Sequence, residues 1–96
     1  MEDNNNLNLG NIFNQLIKEN KLKPKLLEAK LKDSWPEVMG KMIDKYTVDI
    51  SLKKRVLFLR ITSAPLKNEL VMSKKKMIDL LNNFLGEEFI RDIVIR

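Results

Sequence analysis

The spacing of apolar residues changes along this chain, and these changes constrain the fold more than any single residue does. Apolar residues recur at helical spacing from Leu9 to Ile17, and again at steps of three and four from Leu27 to Ile43. From Val48 to Thr62 the period is two, as in a strand with two different faces. Helical spacing returns from Leu66 to Phe84, and the closing run FIRDIVIR indicates a third strand. The pattern predicts the order α-α-α-β-β-α-β, an α+β domain with a small three-stranded sheet covered by helices.

The domain limits follow from composition. Residues 1–8 are polar, rich in asparagine and without periodic apolar residues, so they are predicted to be disordered. No linker or internal repeat interrupts residues 9–96, which are predicted to form a single domain. The first helix is predicted to end near Asn20. The second begins around Pro24, because proline suits the first turn of a helix.

The stretch DSWPEVMG, residues 33–40, holds the only tryptophan, directly before a proline. A proline inside a helix lacks a donor and clashes with the carbonyl four residues earlier. Ser34 and Glu37 have the spacing of a capping box. One helix is therefore predicted to end near Ser34, where the next begins, with Trp35 filling the corner. The alternative is a surface tryptophan that contacts a partner.

Two strands flank the turn Lys53-Lys54-Arg55, whose type stays open because the Asn-Gly pair of tight hairpins is absent. The residues predicted to face the core are Val48, Ile50 and Leu52 on the first strand, and Leu57, Leu59 and Ile61 on the second. Residues 63–86 predict one long helix, capped by Ser63 and ended by Gly86.

The composition argues against catalysis. The chain has no cysteine and no histidine, so thiolate chemistry, disulfides, the commonest general base and the commonest metal ligand are absent. Its 3 glycines are too dispersed to cradle a phosphate, and its carboxylates form no acid/base pair. No enzyme activity, cofactor, metal or small-molecule substrate is predicted. Without a signal-peptide pattern or an apolar run of about 18 residues, the prediction is a cytoplasmic protein with no membrane contact.

The net charge of +5 favours a polyanion or an acidic protein surface as partner. The candidate phosphate contacts are Lys53, Lys54 and Arg55 in the turn, and Lys67, Lys74 and Lys75 on the predicted long helix. Lys67 and Lys74 are seven residues apart and would share a helix face, with Lys75 beside them. Such residues would neutralise phosphates without reading sequence. The alternative is a solvated helix face.

Phe58 and Arg60 are two residues apart on the second strand, so both are predicted on the face opposite Leu57 and Leu59. An exposed aromatic ring beside a guanidinium can stack unpaired bases. The same pair would also suit a protein contact, where both residue types are enriched. A third alternative places Phe58 in the core, under the first helix.

Several short motifs occur in order along the chain: Trp35, Val38-Met39-Gly40, Tyr46-Thr47, a hairpin, Glu69-Leu70, Leu81-Asn82 and the closing RDIVIR. This ordered set resembles the conserved domain of the DciA family of bacterial helicase loaders, from about residue 9 to the C-terminus. Trp35 and Gly40 are expected to be structural residues of that domain.

The resemblance implies a KH-like fold and an adaptor that needs no ATPase of its own. Such an adaptor would bind the replicative helicase, a DnaB-type hexamer, and help to place it on single-stranded DNA without sequence preference. In agreement, the chain has no G-x-x-x-x-G-K-[ST] loop.

The sequence differs from the family pattern in two respects. The G-x-x-G loop with which KH domains clamp nucleic acid is absent, so the KH likeness concerns topology. Several family members carry a basic tail after the domain. This sequence has none, so contacts made by such a tail are expected to be missing or made by the domain.

The alternatives are a KH-like RNA- or DNA-binding module without a helicase role, and a protein–protein adaptor whose charge suits an acidic partner.

Overall fold

The computed structural model describes residues 8–18 and 22–96. Its helices and strands, in chain order, are α1 (Leu9–Lys18), α2 (Leu22–Met39), α3 (Lys41–Tyr46), β1 (Thr47–Lys53), β2 (Val56–Ile61), α4 (Ala64–Met72), α5 (Lys74–Leu85) and β3 (Asp92–Ile95). The predicted α+β class and the order of helical and strand segments are confirmed, while the KH-like likeness stays a prediction. Of the segment predicted to be disordered, residues 1–7 lie outside the described residues, as does the helix end predicted near Asn20.

The three strands form one sheet in the order β1-β2-β3, so β1 and β3 are both edge strands. β1 and β2 pair antiparallel as the predicted hairpin, and β3 runs parallel to β2. The pairing shifts between Thr47 and Asp49, which leaves Val48 as the extra residue of a β-bulge. The prediction that Val48 faces the core is wrong. Its side chain is 55% exposed, because the bulge interrupts the alternation before Ile50.

One face of the sheet forms the core with the helices. The buried residues of the sheet are Ile50, Leu52, Leu57, Leu59, Ile61 and Ile93. The helical residues packed with them are Leu31, Trp35, Leu66, Leu70, Met77, Leu81 and Leu85. The other predicted core positions of the hairpin are thereby confirmed. Full burial of one such side chain contributes roughly 1.5–3 kcal/mol relative to exposure, so this layer is the main source of stability.

The helix boundary predicted at Ser34 is wrong. α2 continues through Pro36 to Met39, and the chain turns instead at Gly40, where φ is 93° and ψ is 157°. The buried residues of α2 keep helical spacing across Ser34 and are Glu28, Leu31 and Trp35. Packing of this face offsets the cost of an interior proline, about 3 kcal/mol. Gly40 accommodates the turn because residues with a Cβ rarely adopt its backbone angles.

Trp35 is 1% exposed and lies where α2, α3 and β1 meet. Its indole N–H donates a hydrogen bond to Thr47 Oγ1 at 3.1 Å, and that hydroxyl donates to the carbonyl of Ile43 at 2.6 Å. The side chain therefore ties α2 to the junction between α3 and β1. A surface tryptophan that contacts a partner does not fit a side chain so deeply buried.

The single long helix predicted over residues 63–86 is two helices, α4 and α5, separated at Ser73. Ser63 and Gly86 have their predicted roles: Ser63 Oγ accepts a hydrogen bond from the amide of Leu66, and Gly86 ends α5 with φ at 82°. The apolar pattern hides the break, because the buried Leu70 and Met77 would share one face of an uninterrupted helix as well.

Candidate nucleic-acid interface

The hairpin turn has Lys54 and Arg55 at its two central positions, with φ of 51° and 67°. Lys53 pairs with Val56 on either side, so the loop has two residues in the left-handed region, as in a type I′ turn. The backbone of such a turn matches the right-handed twist of the two strands. A residue with a Cβ in this left-handed conformation is destabilised by about 1–2 kcal/mol. Lys53 and Lys54 are exposed, and neither has an ion pair with the residues that the structure describes.

Arg55 differs from the two lysines because its guanidinium is held by the chain itself. Nε donates to the carbonyl of Phe89 at 2.9 Å, and Nη2 donates to the carbonyl of Glu88 at 2.7 Å. The guanidinium also lies 5.3 Å from the centroid of the Phe89 ring, and the Arg55 carbonyl accepts from the amide of Arg91. These contacts hold the strained turn against the connection between α5 and β3. Arg55 therefore stabilises the turn by binding the connection between α5 and β3, and its guanidinium is directed towards that connection.

The connection that receives Arg55 is itself fixed by Asn82 at the end of α5. The Asn82 side chain is almost fully buried, and its Nδ2 donates to the carbonyl of Ile90 at 2.9 Å. In return the Ile90 amide donates to Asn82 Oδ1 at 2.8 Å. One amide side chain thus satisfies both backbone groups of Ile90. The sequence showed Asn82 only as part of a motif.

The stripe predicted from Lys67, Lys74 and Lys75 rests on a premise that the structure contradicts. Lys67 lies on α4 and Lys74 is the first residue of α5, so their seven-residue spacing does not place them on one helix face. Lys74 Nζ lies 3.7 Å from Asp92 Oδ1. The predicted continuous stripe is therefore wrong as geometry, and phosphate contacts by the individual lysines stay a prediction.

Lys75 lines a shallow depression of about 830 Å³ between the hairpin turn and the end of α5. The charged residues around it have both signs: Arg55, Lys75 and Arg91, and Asp79, Glu87 and Glu88. Its one buried amide, Asn82, is already bonded to Ile90. A site of mixed charge whose buried amide is already paired gives little reason to bind a polyanion.

The face of the sheet that turns away from the core carries Phe58 and Arg60, as their spacing predicted. The pairing places Phe58 between Ser51 of β1 and Val94 of β3. Phe58 is partly buried but does not belong to the core cluster, and Arg60 is exposed. The alternative that makes Phe58 a core residue is therefore wrong for the part of the chain that the structure describes.

Sequence reasoning did not identify Arg96 as a contact of Phe58. Its guanidinium lies 5.3 Å from the centroid of the Phe58 ring. The Arg96 amide donates to the carbonyl of Leu59, and its carbonyl accepts from the amide of Ile61, which places Arg96 beside Arg60. This proximity depends on the parallel pairing of β3 with β2, and no local pattern in the sequence reports that pairing.

The chain matches the model of a known protein family. The family described as "Dna[CI] antecedent, DciA" matches residues 8–95, which is nearly the whole chain. Neither the curated proteins nor the solved structures contain a match. In the described residues, no helix has the length and apolar character needed to cross a membrane. The general role associated with the matched family is the loading of the DnaB-type replicative helicase. This chain belongs to the DciA family of replicative-helicase loaders.

Proposed function

We propose that this protein is a cytoplasmic, non-enzymatic adaptor that binds the DnaB-type hexameric helicase and assists its loading onto single-stranded DNA. The observation that carries the proposal is the family match over residues 8–95. The net charge of +5 supports a DNA contact, because lysine and arginine neutralise phosphates whatever the base sequence. The exposed lysines of the hairpin turn, Lys53 and Lys54, are the first candidates for that contact.

A protein partner is supported by the apolar side chains that helices leave exposed. α1 carries Leu9, Ile12 and Phe13 at helical spacing, with exposures of 83%, 42% and 51%. Exposed apolar side chains on the later helices are Leu26, Met42, Val71, Met72 and Leu80. Single exposed residues are ordinary, but three on one helix face form a surface that a protein partner can cover. The helical side is thus the better candidate for the helicase.

The experiment uses the purified protein and the replicative helicase of its host. We expect the two to elute together in size-exclusion chromatography, and we expect the adaptor to increase the amount of helicase on circular single-stranded DNA without ATP hydrolysis of its own. Helicase alone is the control for loading. If helicase and adaptor elute separately and loading does not change, the adaptor proposal is wrong.

The two alternative functions predict different results in the same material. A KH-like module with RNA as its target would bind oligo-rU more tightly than oligo-dT and would leave helicase loading unchanged. A pure protein–protein adaptor would bind the helicase and show no salt-dependent DNA affinity. Anisotropy titrations with both oligonucleotides at several salt concentrations distinguish these outcomes.

A further inference from the structure

The outer face of the sheet, defined as the face opposite the core, brings Lys53 of the hairpin onto the same surface as Phe58 and Arg60. Strand pairing arranges its side chains in three rows across the strands. The first row is Lys53, Val56 and Asp92, the second is Ser51, Phe58 and Val94, and the third is Asp49, Arg60 and Arg96. The rows span about 14 Å along the strands, and the strands span about 10 Å across.

The centre of the outer face is a ring with a guanidinium against it. Phe58 lies on the central strand, and the Arg96 guanidinium is 5.3 Å from the ring centroid. Guanidinium and aromatic planes both offer stacking surfaces to unpaired bases. The Arg96 guanidinium lies over the Phe58 ring, and this stacked pair, here called the platform, has Arg60 beside Arg96 and Lys53 in the row on the other side of Phe58.

The charges around this platform favour an anion. Asp92 is compensated, because its Oδ1 accepts from the Ile93 amide at 2.8 Å and lies 3.7 Å from Lys74 Nζ. Lys53, Arg60 and Arg96 have no ion pair with an acidic side chain in residues 8–18 and 22–96. Three uncompensated cations therefore remain against the carboxylate of Asp49.

The apolar content of the outer face does not suit a protein partner. The large apolar residues with exposed side chains are Leu9, Ile12, Phe13, Leu26, Met42, Val48, Val71, Met72 and Leu80. None of them belongs to the three rows, and the central parts of protein interfaces are apolar and depleted in charge. One of them, Val48, lies in the bulge of β1 next to Asp49. A ring with cations in its own and the neighbouring rows, and with little exposed apolar surface beside it, matches the surfaces that bind single-stranded nucleic acid.

We propose that single-stranded DNA binds across the outer face of the sheet, with bases stacked on Phe58 and Arg96 and phosphates against Lys53 and Arg60. The proposal deepens the proposed function, because it assigns the DNA contact to the sheet and leaves the helicase to the helical side. It also differs from the G-x-x-G clamp of KH domains, which this chain lacks.

The test measures DNA and helicase binding separately for the same variants. Phe58→Leu removes the aromatic plane and keeps an apolar side chain, and Arg60→Gln removes one cation. Lys41→Gln makes the same change of charge at an exposed residue on α3 and is the matched control. We expect Phe58→Leu to weaken binding of labelled oligo-dT roughly 5- to 150-fold. Arg60→Gln should flatten the salt dependence, and Lys41→Gln should have neither effect.

A second variant and a direct readout keep the proposal falsifiable if Phe58→Leu unfolds. Ser51→Glu adds a negative charge beside Phe58 without removing any proposed contact, and it should also weaken oligo-dT binding. Oligonucleotides with 5-iodouracil should photo-crosslink to the peptide that contains Phe58, as read by mass spectrometry. Normal DNA binding by folded Phe58→Leu, Arg60→Gln and Ser51→Glu would refute the proposal.

Different experimental results would contradict the adaptor function and the DNA site. All sheet variants should still elute with the helicase, because the helical side is unchanged. If they lose the helicase and keep oligo-dT binding, the outer face is a protein site and the proposal is wrong. If the unmodified protein binds helicase but no oligo-dT, the DNA site is wrong while the helicase contact of the proposed function stands.

Discussion

Replacing Gly40 tests the turn between α2 and α3. The residue has φ 93° and ψ 157°, and a Cβ added to it would meet no atom within 4 Å. A change to alanine therefore introduces no clash, and its whole cost is conformational. Gly86 is a matched control, because its φ is 82° and its ψ is 11°, and a Cβ there is equally free of contacts. The two glycines have similar φ, and the main difference between their backbone angles is in ψ.

The expected magnitudes follow from that difference. The backbone of Gly40 belongs to a region that is almost restricted to glycine and costs other residues about 1–3 kcal/mol. Gly86 is in the ordinary left-handed region, where alanine costs about 1–2 kcal/mol and asparagine less. A Gly→Ala change also lowers the conformational entropy of the unfolded chain, which stabilises the folded state by about 0.4–1 kcal/mol. This gain reduces the loss of stability equally at the two positions. Asparagine should therefore rescue position 86 and should not rescue position 40.

Urea denaturation followed by circular dichroism measures the free energy of unfolding of the four variants Gly40→Ala, Gly40→Asn, Gly86→Ala and Gly86→Asn. Each kcal/mol should lower the melting temperature by about 4–8 °C in a domain of this size. We expect Gly86→Asn to be the most stable variant, and both changes at Gly40 to lower the melting temperature clearly. If Gly40→Asn is as stable as Gly86→Asn, the assigned turn at Gly40 is wrong.

Three further predictions concern the core and the hairpin turn. Trp35→Ala should destabilise by about 3–5 kcal/mol in thermal melts, and Trp35→Phe should lose less. A stable Trp35→Ala protein that fails to bind a partner would contradict the structural role. Neutralising Lys53 and Lys54 together should reduce the slope of log affinity for oligo-dT against log salt by about 1.4. An unchanged slope would locate the phosphate contacts elsewhere. Lys54→Asn should keep or raise stability because asparagine tolerates positive φ, whereas Arg55→Asn should lower it because the bonds to Glu88 and Phe89 are lost. Equal melting temperatures for the two variants would contradict the stabilising role of the Arg55 side chain.

The strands and most of their core positions could be predicted because alternation is a local property. Leu57, Leu59 and Ile61 are all buried, as period two requires. Val48 continues the same alternation in the sequence but lies in the bulge. A bulge is defined by how a strand pairs with its neighbour, so the residues of one strand do not reveal it.

The helix boundaries were predictable only where local chemistry agreed with tertiary packing. At Ser63 the cap and the following proline indicate a helix start, and the structure has it there. At Ser34 the same kind of local pattern is overridden, because α2 continues to Met39 with Trp35 buried on the same helix face as Leu31. Gly40, between two runs of helical spacing, was the better indication of the turn.

The candidate site was predicted in part for the same reason. Phe58 and Arg60 share a face because they are two apart on one strand. The contacts that change the interpretation join residues far apart in the chain: Arg55 binds the carbonyls of Glu88 and Phe89, and Arg96 stacks on Phe58. These pairs depend on the placement of β3 beside β2, which the sequence alone does not give.

On each edge strand of the sheet a carboxylate binds one backbone amide, and this bears on where a partner strand could be added. On the β1 edge, buried Glu28 of α2 accepts the Leu52 amide at 2.8 Å, and Lys32 lies 3.5 Å from its other oxygen. On the β3 edge, Asp92 accepts the Ile93 amide at 2.8 Å. A strand added at either edge would have to break one of these bonds, and free edge amides are what strand addition requires. These two bonds oppose strand addition at Leu52 and Ile93, which favours the outer face, where Phe58 and its cations lie, as the surface that we propose for DNA.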